Sequence, residues 1–171
     1  QKARWLPELA SGRALAAFAL TEPEVGSDAR SVQTTATPDG QGWVLNGHKK
    51  WITFGEVATL LLVLARHSEQ TLALLVDGSA PGVQRTPIRG MLGTRASMLA
   101  EIRFQDCRIP PGRLLARPGF GFPVMASALD VGRFSVAWGC VGLGQACLEA
   151  SVRHASTRQQ FGRPLAGHQL V

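Results

Sequence analysis

The sequence predicts an α+β fold in which a small antiparallel β-barrel or sandwich precedes a long helix. Two observations lead to this expectation. From Arg13 to about Arg113, short segments of strand character alternate with turns that contain glycine or proline. From Val124 to about Thr157 there is no further proline, and apolar residues recur at intervals of three and four positions. This change of periodicity separates a β domain from a helical domain.

The predicted strands of the β domain are short and closely spaced. Polar and apolar residues alternate around Thr35, and residues 43–45 lead into Asn46-Gly47, a dipeptide that favours a two-residue hairpin turn. We therefore expect residues 51–53 to form the returning strand. Further strands are predicted at residues 59–66, 72–76, 83–86 and 99–104.

The helical region begins after the turn at residues 108–112. Pro123 suits the first turn of a helix, where its missing N–H is not needed, and the pattern beyond it supports helix to about Thr157. We place the β domain at residues 1–114 and the helical domain at residues 115–171.

Both ends of the sequence look cut. No methionine opens the chain, and residues 1–9 have the pattern of the end of a helix that stops near Pro7. We therefore expect the sequence to be a fragment of a longer protein.

Composition and charge narrow the classes of partner. The chain has 171 residues, of which 45% are hydrophobic, and a net charge of +6. Its basic residues are scattered, with no run beyond Lys49-Lys50, so nucleic acid is not an expected ligand. The longest apolar run, residues 60–65, is far shorter than the roughly 20 residues that a membrane span requires. We expect a soluble, cytoplasmic protein.

The cysteines and histidines predict neither a metal site nor a disulfide. The cysteines include no C-x-x-C pair, and no histidine lies at ligand spacing from them. The histidines are dispersed and form no recognisable Ser-His-Asp order. These residues are Cys107, Cys140, Cys147, His48, His67, His154 and His168.

The first stretch suited to a ligand is the polar turn within residues 19–28. Pro23 fixes its own φ and removes one backbone donor, and Gly26 permits a positive φ. Such a turn presents the hydroxyls of Thr21 and Ser27, together with free N–H groups that suit an anion.

The second stretch follows about two strands later. Trp51 offers a flat aromatic surface, and Thr53 adds a hydroxyl on the same face of a strand. Stacking and edge hydrogen bonds suit a planar heteroaromatic ring. Taken singly, the first stretch is also an ordinary turn and Trp51 an ordinary half-buried strand residue.

Together the two stretches resemble the acyl-CoA dehydrogenase flavoprotein family. They are followed by a glycine-rich helix and by Arg158-Gln159-Gln160-Phe161-Gly162, and the resemblance extends from Leu6 to Gln169. It implies FAD-dependent oxidation of an acyl thioester, in which a base removes the α proton while flavin N5 accepts a hydride from the β carbon. It also implies that residues 115–171 are the truncated start of a C-terminal helical bundle, of which the predicted helix is the first long member.

The resemblance assigns FAD contacts to two sets of residues. In this family the residue matching Trp51 lies against the isoalloxazine, and the residue matching Thr53 hydrogen-bonds near N5. The first set is Phe18, Ala19, Leu20, Thr21, Gly26, Ser27, Trp51, Ile52 and Thr53. The second set, which reaches the FAD of a neighbouring subunit, is Arg158, Gln160, Phe161, His168 and Gln169. We therefore expect a homodimer or tetramer.

The residue types of the second set agree with this role. Arg158 is permanently charged and forked, which suits a pyrophosphate. A solvated arginine near the C-terminus of a helix is the alternative interpretation.

The substrate contacts implied by the resemblance involve Ser27, Asp130 and Arg133. The first matches a position that contacts the acyl thioester, and the other two match a helix segment that meets the pantetheine arm and the substrate head. Spacing alone predicts only a surface ion pair between Asp130 and Arg133. Residues 129–142 look most like the branch that oxidises short acyl groups on an acyl carrier protein in polyketide and nonribosomal-peptide pathways.

No residue of the chain is expected to be the catalytic base. The family's usual glutamate lies beyond Val171, and the alternative position used by some members, immediately before the helix arginine, is Gly132. The resemblance also suggests an electron-accepting flavoprotein as a partner.

Three alternatives remain open at this point. The protein could be an acyl-CoA dehydrogenase of fatty-acid or amino-acid catabolism. It could be a flavin monooxygenase or oxidase on the same scaffold, which reaction of the reduced flavin with oxygen would reveal. A non-enzymatic β-barrel binding module would share only the strands and would bind no flavin.

Overall fold

The computed structural model describes residues 1–169, so Leu170 and Val171 lie outside the described part. The chain forms two compact units, residues 1–126 and residues 127–171. Each unit is considered by itself.

A short helix, α1 (Lys2–Ala10), opens the first unit. The helix expected within residues 1–9 is present, but it does not end at Pro7, which lies inside it, and continues to Ala10. A proline this close to the start removes only one helical hydrogen bond, and the chain continues for one more turn. The helix ends where the Ser11 N–H donates to the Pro7 carbonyl oxygen at 3.1 Å and Gly12 takes a φ of +74°.

One eight-stranded sheet forms most of the first unit. Its neighbours run in the order β6, β7, β3, β2, β4, β5 and β8, and β1 pairs with β4. The strands are β1 (Ala16–Ala19), β2 (Thr35–Asp39), β3 (Gly42–Ile52), β4 (Leu60–His67), β5 (Gln70–Asp77), β6 (Val83–Pro87), β7 (Ala100–Ile109) and β8 (Leu114–Leu115). Most pairs are antiparallel, and β4 pairs in parallel with both β1 and β2.

The predicted hairpin turn at Asn46-Gly47 is wrong, because both residues lie inside the continuous strand β3. The hairpin turn is instead Gly40-Gln41, where Gly40 has a φ of +61° and the flanking residues Asp39 and Gly42 pair. Gly47 serves close packing, since a Cβ at this position would overlap the side chain of Thr34. Asn46 receives a hydrogen bond from the Asp106 N–H at 2.8 Å, where the pairing of β3 with β7 shifts register.

The core lies within the sheet. Its largest cluster joins apolar residues of β1, β3, β4, β5 and β7, among them Leu45, Leu61, Leu74 and Phe104. Cys107 belongs to this cluster, and burial raises the pKa of its thiol to about 11, so the thiol stays protonated. These contacts give the strands of the sheet a common core, against which Leu114 of β8 also packs.

A long helix, α2 (Gly121–Thr157), contains Pro123 in its first turn as predicted. A short hairpin of β9 (Gln159–Gln160) and β10 (Arg163–Pro164) follows it. The predicted fold class, a β domain followed by one long helix, is confirmed. The helix carries exposed apolar side chains along much of its length: Val131, Phe134, Val136, Trp138, Val141, Leu143, Leu148 and Val152.

Candidate functional site

The polar turn follows directly from β1. The Glu22 N–H donates to the Val25 carbonyl oxygen at 2.9 Å, and the Val25 N–H donates back to the Glu22 carbonyl oxygen at 3.2 Å. Pro23 lies between Glu22 and Val25, and neither of these hydrogen bonds requires the backbone N–H that proline lacks. Gly26 does not adopt the positive φ that its type permits, and a Cβ there would meet nothing within 4 Å.

The side chain of Glu22 holds this turn from inside. It is only 4% exposed and accepts hydrogen bonds from the Gln33 N–H at 2.6 Å and the Thr34 N–H at 2.9 Å. The Thr34 hydroxyl donates at 2.5 Å and the Lys49 ammonium at 2.8 Å. Four donors therefore satisfy a buried carboxylate that would otherwise be costly.

Lys49 is the partner charge of this buried carboxylate. Its side chain is fully buried, and its ammonium also donates to the Leu20 carbonyl oxygen at 2.9 Å. Burial lowers the pKa of Lys49 to about 8, although Glu22 opposes the shift. Burial also disfavours the charged form of Glu22, but the Lys49 charge and the hydrogen bonds outweigh burial and lower the pKa of Glu22.

The end of β3 brings Trp51 beside the turn. The Lys50 N–H donates to the Thr21 carbonyl oxygen at 2.9 Å, which fixes the turn against this strand. The pairing with β7 then shifts register between Lys49 and Ile52, and Trp51 takes a φ of +61°. A bulge of this kind re-aims a side chain, and here the indole is 51% exposed while Ile52 faces the core.

The structure places the first set of predicted FAD residues around these two elements. Thr53 is exposed like Trp51, and Thr21, Phe18 and Leu20 are half-buried. The side chains of Ala19 and Ile52 lie in the core, so only their backbone groups remain for contact with a cofactor. Gly26 and Ser27 are exposed.

These residues fit a flavin. The exposed indole of Trp51 offers a stacking face, and the hydroxyls of Thr21 and Thr53 lie on the two segments that the Lys50 hydrogen bond joins. Among the residues described, no acceptor takes the N–H groups of Gly26 and Ser27, which leaves two donors for an anionic group. Stacking, edge hydrogen bonds and anion donors are the groups that an FAD requires.

A second cluster lies on the neighbouring part of β3 and β7. Glu101 accepts from the Lys50 ammonium at 3.1 Å and contacts His48 Nε2 at 2.9 Å. The Lys50 hydrogen bond is the main cause that lowers the pKa of Glu101. The same ammonium lies 5.2 Å from the centre of the Trp51 ring. Both carboxylate oxygens of Glu101 are paired with cationic or ring-nitrogen groups, so Glu101 does not have the free oxygen that a catalytic base needs.

Asp130 and Arg133 form an ion pair on α2 with an N–O distance of 3.0 Å. Their side chains are 74% and 70% exposed, so within the second unit the pair is a solvated i, i+3 contact. Gly132, next to Arg133, supplies no carboxylate. The surface ion pair predicted from spacing is present, and the substrate role of the pair stays a prediction.

The second set of predicted FAD residues gathers at the β9–β10 hairpin. Its turn is Phe161-Gly162, with φ values of +52° and +77°. The His168 ring contacts the Gln160 carbonyl oxygen at 3.1 Å and lies 6.1 Å from the Phe161 ring. The side chains of Arg158, Gln160, Phe161 and Gln169 are exposed. The hairpin therefore presents several candidate ligand groups to solvent.

The sequence interpretation missed Lys49. In the sequence, Lys49-Lys50 stands out only as the longest basic run, and Glu22 is one polar residue of the turn within residues 19–28. One signal was available: β3 is a long strand that ends in Ile52, and a lysine within such a strand is buried only with a partner charge. The partner, 27 residues away, has no local signature.

Comparison with known protein families identifies the chain. Residues 17–107 match the middle domain of acyl-CoA dehydrogenases, and residues 119–171 match the acyl-CoA dehydrogenase C-terminal domain. The two matches cover most of the chain, including the polar turn, Trp51 and the whole of α2. The chain belongs to the acyl-CoA dehydrogenase family, and the resemblance inferred from the motifs is confirmed.

Individual relatives agree with this assignment. The chain is 41% identical to the short-chain specific acyl-CoA dehydrogenase of Rattus norvegicus, over 100% of this chain and 43% of the relative. It is similar to a glutaryl-CoA dehydrogenase of Mycobacterium smegmatis in complex with FADH2, with a TM-score of 0.91, 35% identity and coverage of 99% and 44%. It is also similar to the prolyl acyl carrier protein oxidase AnaB, with a TM-score of 0.94, 30% identity and coverage of 99% and 46%. The chain thus spans less than half the length of these relatives.

The family match also bears on the apolar surface of α2. By length and composition this helix could cross a membrane, since its most apolar 18-residue window has a mean hydropathy of 1.2. One such helix is weak evidence, because the core helix of a helical bundle has the same composition. The C-terminal domain match includes the whole helix, so we attribute its apolar surface to packing in that domain.

Proposed function

We propose that the intact protein is an FAD-dependent acyl thioester dehydrogenase. The observation that carries this proposal is the hydrogen-bonded junction of the Thr21 turn with the strand that exposes Trp51. Membership of the acyl-CoA dehydrogenase family supports it, as does the FADH2 named in the similar Mycobacterium smegmatis structure.

In the proposed reaction, the residues of this chain bind and orient the flavin. A bound flavin supplies the hydride acceptor. Trp51 supports its ring, while Thr21 and Thr53 hydrogen-bond to its edge and Gly26 and Ser27 donate to an anionic group. The base that removes the α proton is not proposed among residues 1–169, since both Glu22 and Glu101 are engaged by donors.

For the substrate, we propose a short acyl group carried by an acyl carrier protein. The high TM-score to the prolyl acyl carrier protein oxidase and the net charge of +6, which would attract an acidic carrier, support this choice. Ser27, Asp130 and Arg133 would meet the thioester and its pantetheine arm. Dehydrogenation of a short acyl-CoA is the second candidate, because the rat relative at 41% identity is a short-chain specific acyl-CoA dehydrogenase.

Stopped-flow reduction of the flavin separates these substrates. The intact protein is mixed without oxygen with the same short acyl group on a carrier protein and on CoA, and bleaching of the flavin is followed. Faster bleaching by the carrier-bound group supports the first proposal, and equal or faster bleaching by the CoA ester supports the second. Readmitting oxygen afterwards tests the oxidase alternative, since fast reoxidation would identify it.

We propose that the protein is a homodimer or tetramer in which Arg158, Gln160, Phe161, His168 and Gln169 reach the FAD of a neighbouring subunit. The exposure of the Phe161 side chain, at 95%, supports a contact outside the described chain. Sedimentation of the intact protein should show at least a dimer, and a monomer with full flavin occupancy would contradict the proposal.

An electron-accepting flavoprotein is the proposed partner for reoxidation of the flavin.

A further inference from the structure

Three consecutive residues of the polar turn are bound to the end of β3. The Lys49 ammonium donates to the Leu20 carbonyl oxygen at 2.9 Å and to the Glu22 carboxylate at 2.8 Å. Between these contacts, the Lys50 N–H donates to the Thr21 carbonyl oxygen at 2.9 Å. One buried ammonium therefore bridges the two neighbours of Thr21.

We propose that Lys49 and Glu22 are positioning residues for the flavin. The buried ion pair holds the turn that carries Thr21 in a set relation to the strand that carries Trp51, so that the hydroxyl and the indole meet one ring in register. This inference rests on the proposed function, because it assigns a role toward the cofactor that the intact protein is proposed to bind.

Stability alone does not account for the pair. Apolar residues of similar volume at two buried positions generally give equal or greater stability than an ion pair. A carboxylate with four directed donors, in contrast, admits only one arrangement of the groups around it. Gln33 and Thr34 supply three of these donors from the segment before β2, so the network also fixes the chain beyond the turn.

Glu22 is not positioned to act as a base itself. It is 4% exposed, its two oxygens already accept four hydrogen bonds, and the side chain of its partner Lys49 is fully buried. Trp51, by contrast, is half exposed. Glu22 and Lys49 thus act on a ligand only through the backbone of the turn.

The experiment compares FAD binding with folding in four variants and one control variant of the intact protein. Lys49→Met and Glu22→Gln each remove one charge, and the double variant removes both, which avoids an unpaired buried charge. Lys49→Arg keeps the charge, but its planar fork bridges Leu20 and Glu22 differently. Arg108→Met is the matched control, because Arg108 pairs with Asp39 on the exposed hairpin. The flavin is removed and FAD is titrated back, with flavin fluorescence, the visible spectrum and the melting temperature as readouts.

In the double variant, the melting temperature should be close to that of the wild type. The Kd for FAD should rise by about tenfold, because that is the rise expected if the turn keeps its binding arrangement only about a tenth of the time. Lys49→Arg should show a smaller rise and an altered flavin spectrum, and Arg108→Met should show neither. A double variant that binds FAD like the wild type would overturn the inference. If the double variant does not fold, a Lys49→Arg protein with wild-type Kd and spectrum would overturn it equally.

Failure of this inference differs from failure of the proposed function. If the wild-type protein takes up no FAD, the proposed function is wrong. If the wild type binds FAD and the folded variants bind it equally well, only the positioning role of Lys49 and Glu22 is wrong.

Discussion

The two regions assigned to FAD are held in place by different means. The turn around Glu22 is fixed by a buried ion pair and by backbone hydrogen bonds to residues far along the chain. The segment from Arg158 to Gln169 is held by local contacts, such as the hydrogen bond from the Leu165 N–H to the Arg158 carbonyl oxygen at 2.8 Å. Substitutions in the first region should therefore change folding, whereas those in the second should change only contacts with groups outside the chain.

The largest effect is expected for Lys49→Met. Removing one member of a buried pair leaves the Glu22 carboxylate uncompensated, which should lower the free energy of unfolding by about 3–5 kcal/mol. Urea unfolding of the intact protein measures this loss. Adding Glu22→Gln should recover much of it, and a single variant as stable as the wild type would show that the turn is not held by this charge.

The same pair predicts a pH dependence. Burial lowers the pKa of Lys49 from its ordinary 10.5 to about 8, and Glu22 is the charged group that faces it. Between these values the unfolded chain binds more protons than the folded chain, so this residue makes the free energy of unfolding rise with pH. The difference between wild type and Lys49→Arg, which does not titrate, should therefore increase from about pH 8 upward. A difference that is constant over this range would place the pKa of Lys49 near its ordinary value.

Gly47→Ala should destabilise the first region by displacing Thr34, one of the donors to Glu22. The added Cβ overlaps the side chain of Thr34, whose hydroxyl donates to Glu22. Overpacking of this kind costs about 1–3 kcal/mol. Gly93→Ala is the control, because a Cβ there meets nothing within 4 Å. Equal melting temperatures of the two variants would show that the structure around Gly47 accommodates the added Cβ at little cost in stability.

Trp51→Ala tests the exposed surface that the first region supports. The indole is half exposed, so its loss should affect folding little. Loss of an aromatic stack should weaken FAD binding by about 0.5–1.5 kcal/mol, which is a few-fold to about tenfold in Kd. FAD titration of the deflavinated intact protein measures this, with Trp51→Phe as the variant that should retain most of the affinity. If Trp51→Ala binds FAD with unchanged affinity, the indole does not contribute to FAD binding.

The smallest effect on folding is expected in the second region. The Phe161 side chain is 95% exposed, so Phe161→Ala should change the free energy of unfolding by no more than about 0.5 kcal/mol. Thermal unfolding of the flavin-free protein is the appropriate measurement. A loss as large as that of Gly47→Ala would show that the hairpin packs in the intact protein, and the contrast between the two regions would then be wrong.

Much of the fold was predictable because it follows from local patterns. Strands β4 to β6 and helix α2 lie close to their predicted bounds, since hydrophobic periodicity and proline position act over a few residues. Strand β7 begins close to its predicted start but continues beyond the predicted end at Phe104 to Ile109. The site was predictable only in part. Trp51, Thr53 and the Thr21 turn carry their chemistry in their residue types, whereas the bulge that exposes the indole depends on pairing with β7, about 50 residues later.

The sequence by itself determined the order of strand and helix, the residues available to a flavin and the family to which the chain belongs. Only the tertiary structure decided that Gly40-Gln41 and not Asn46-Gly47 makes the hairpin turn, and that Lys49 is buried against Glu22. The physical reason is that both outcomes depend on non-local partners. Thr34 leaves no room for a side chain at Gly47, and a lysine is buried only where a carboxylate from another part of the chain compensates its charge.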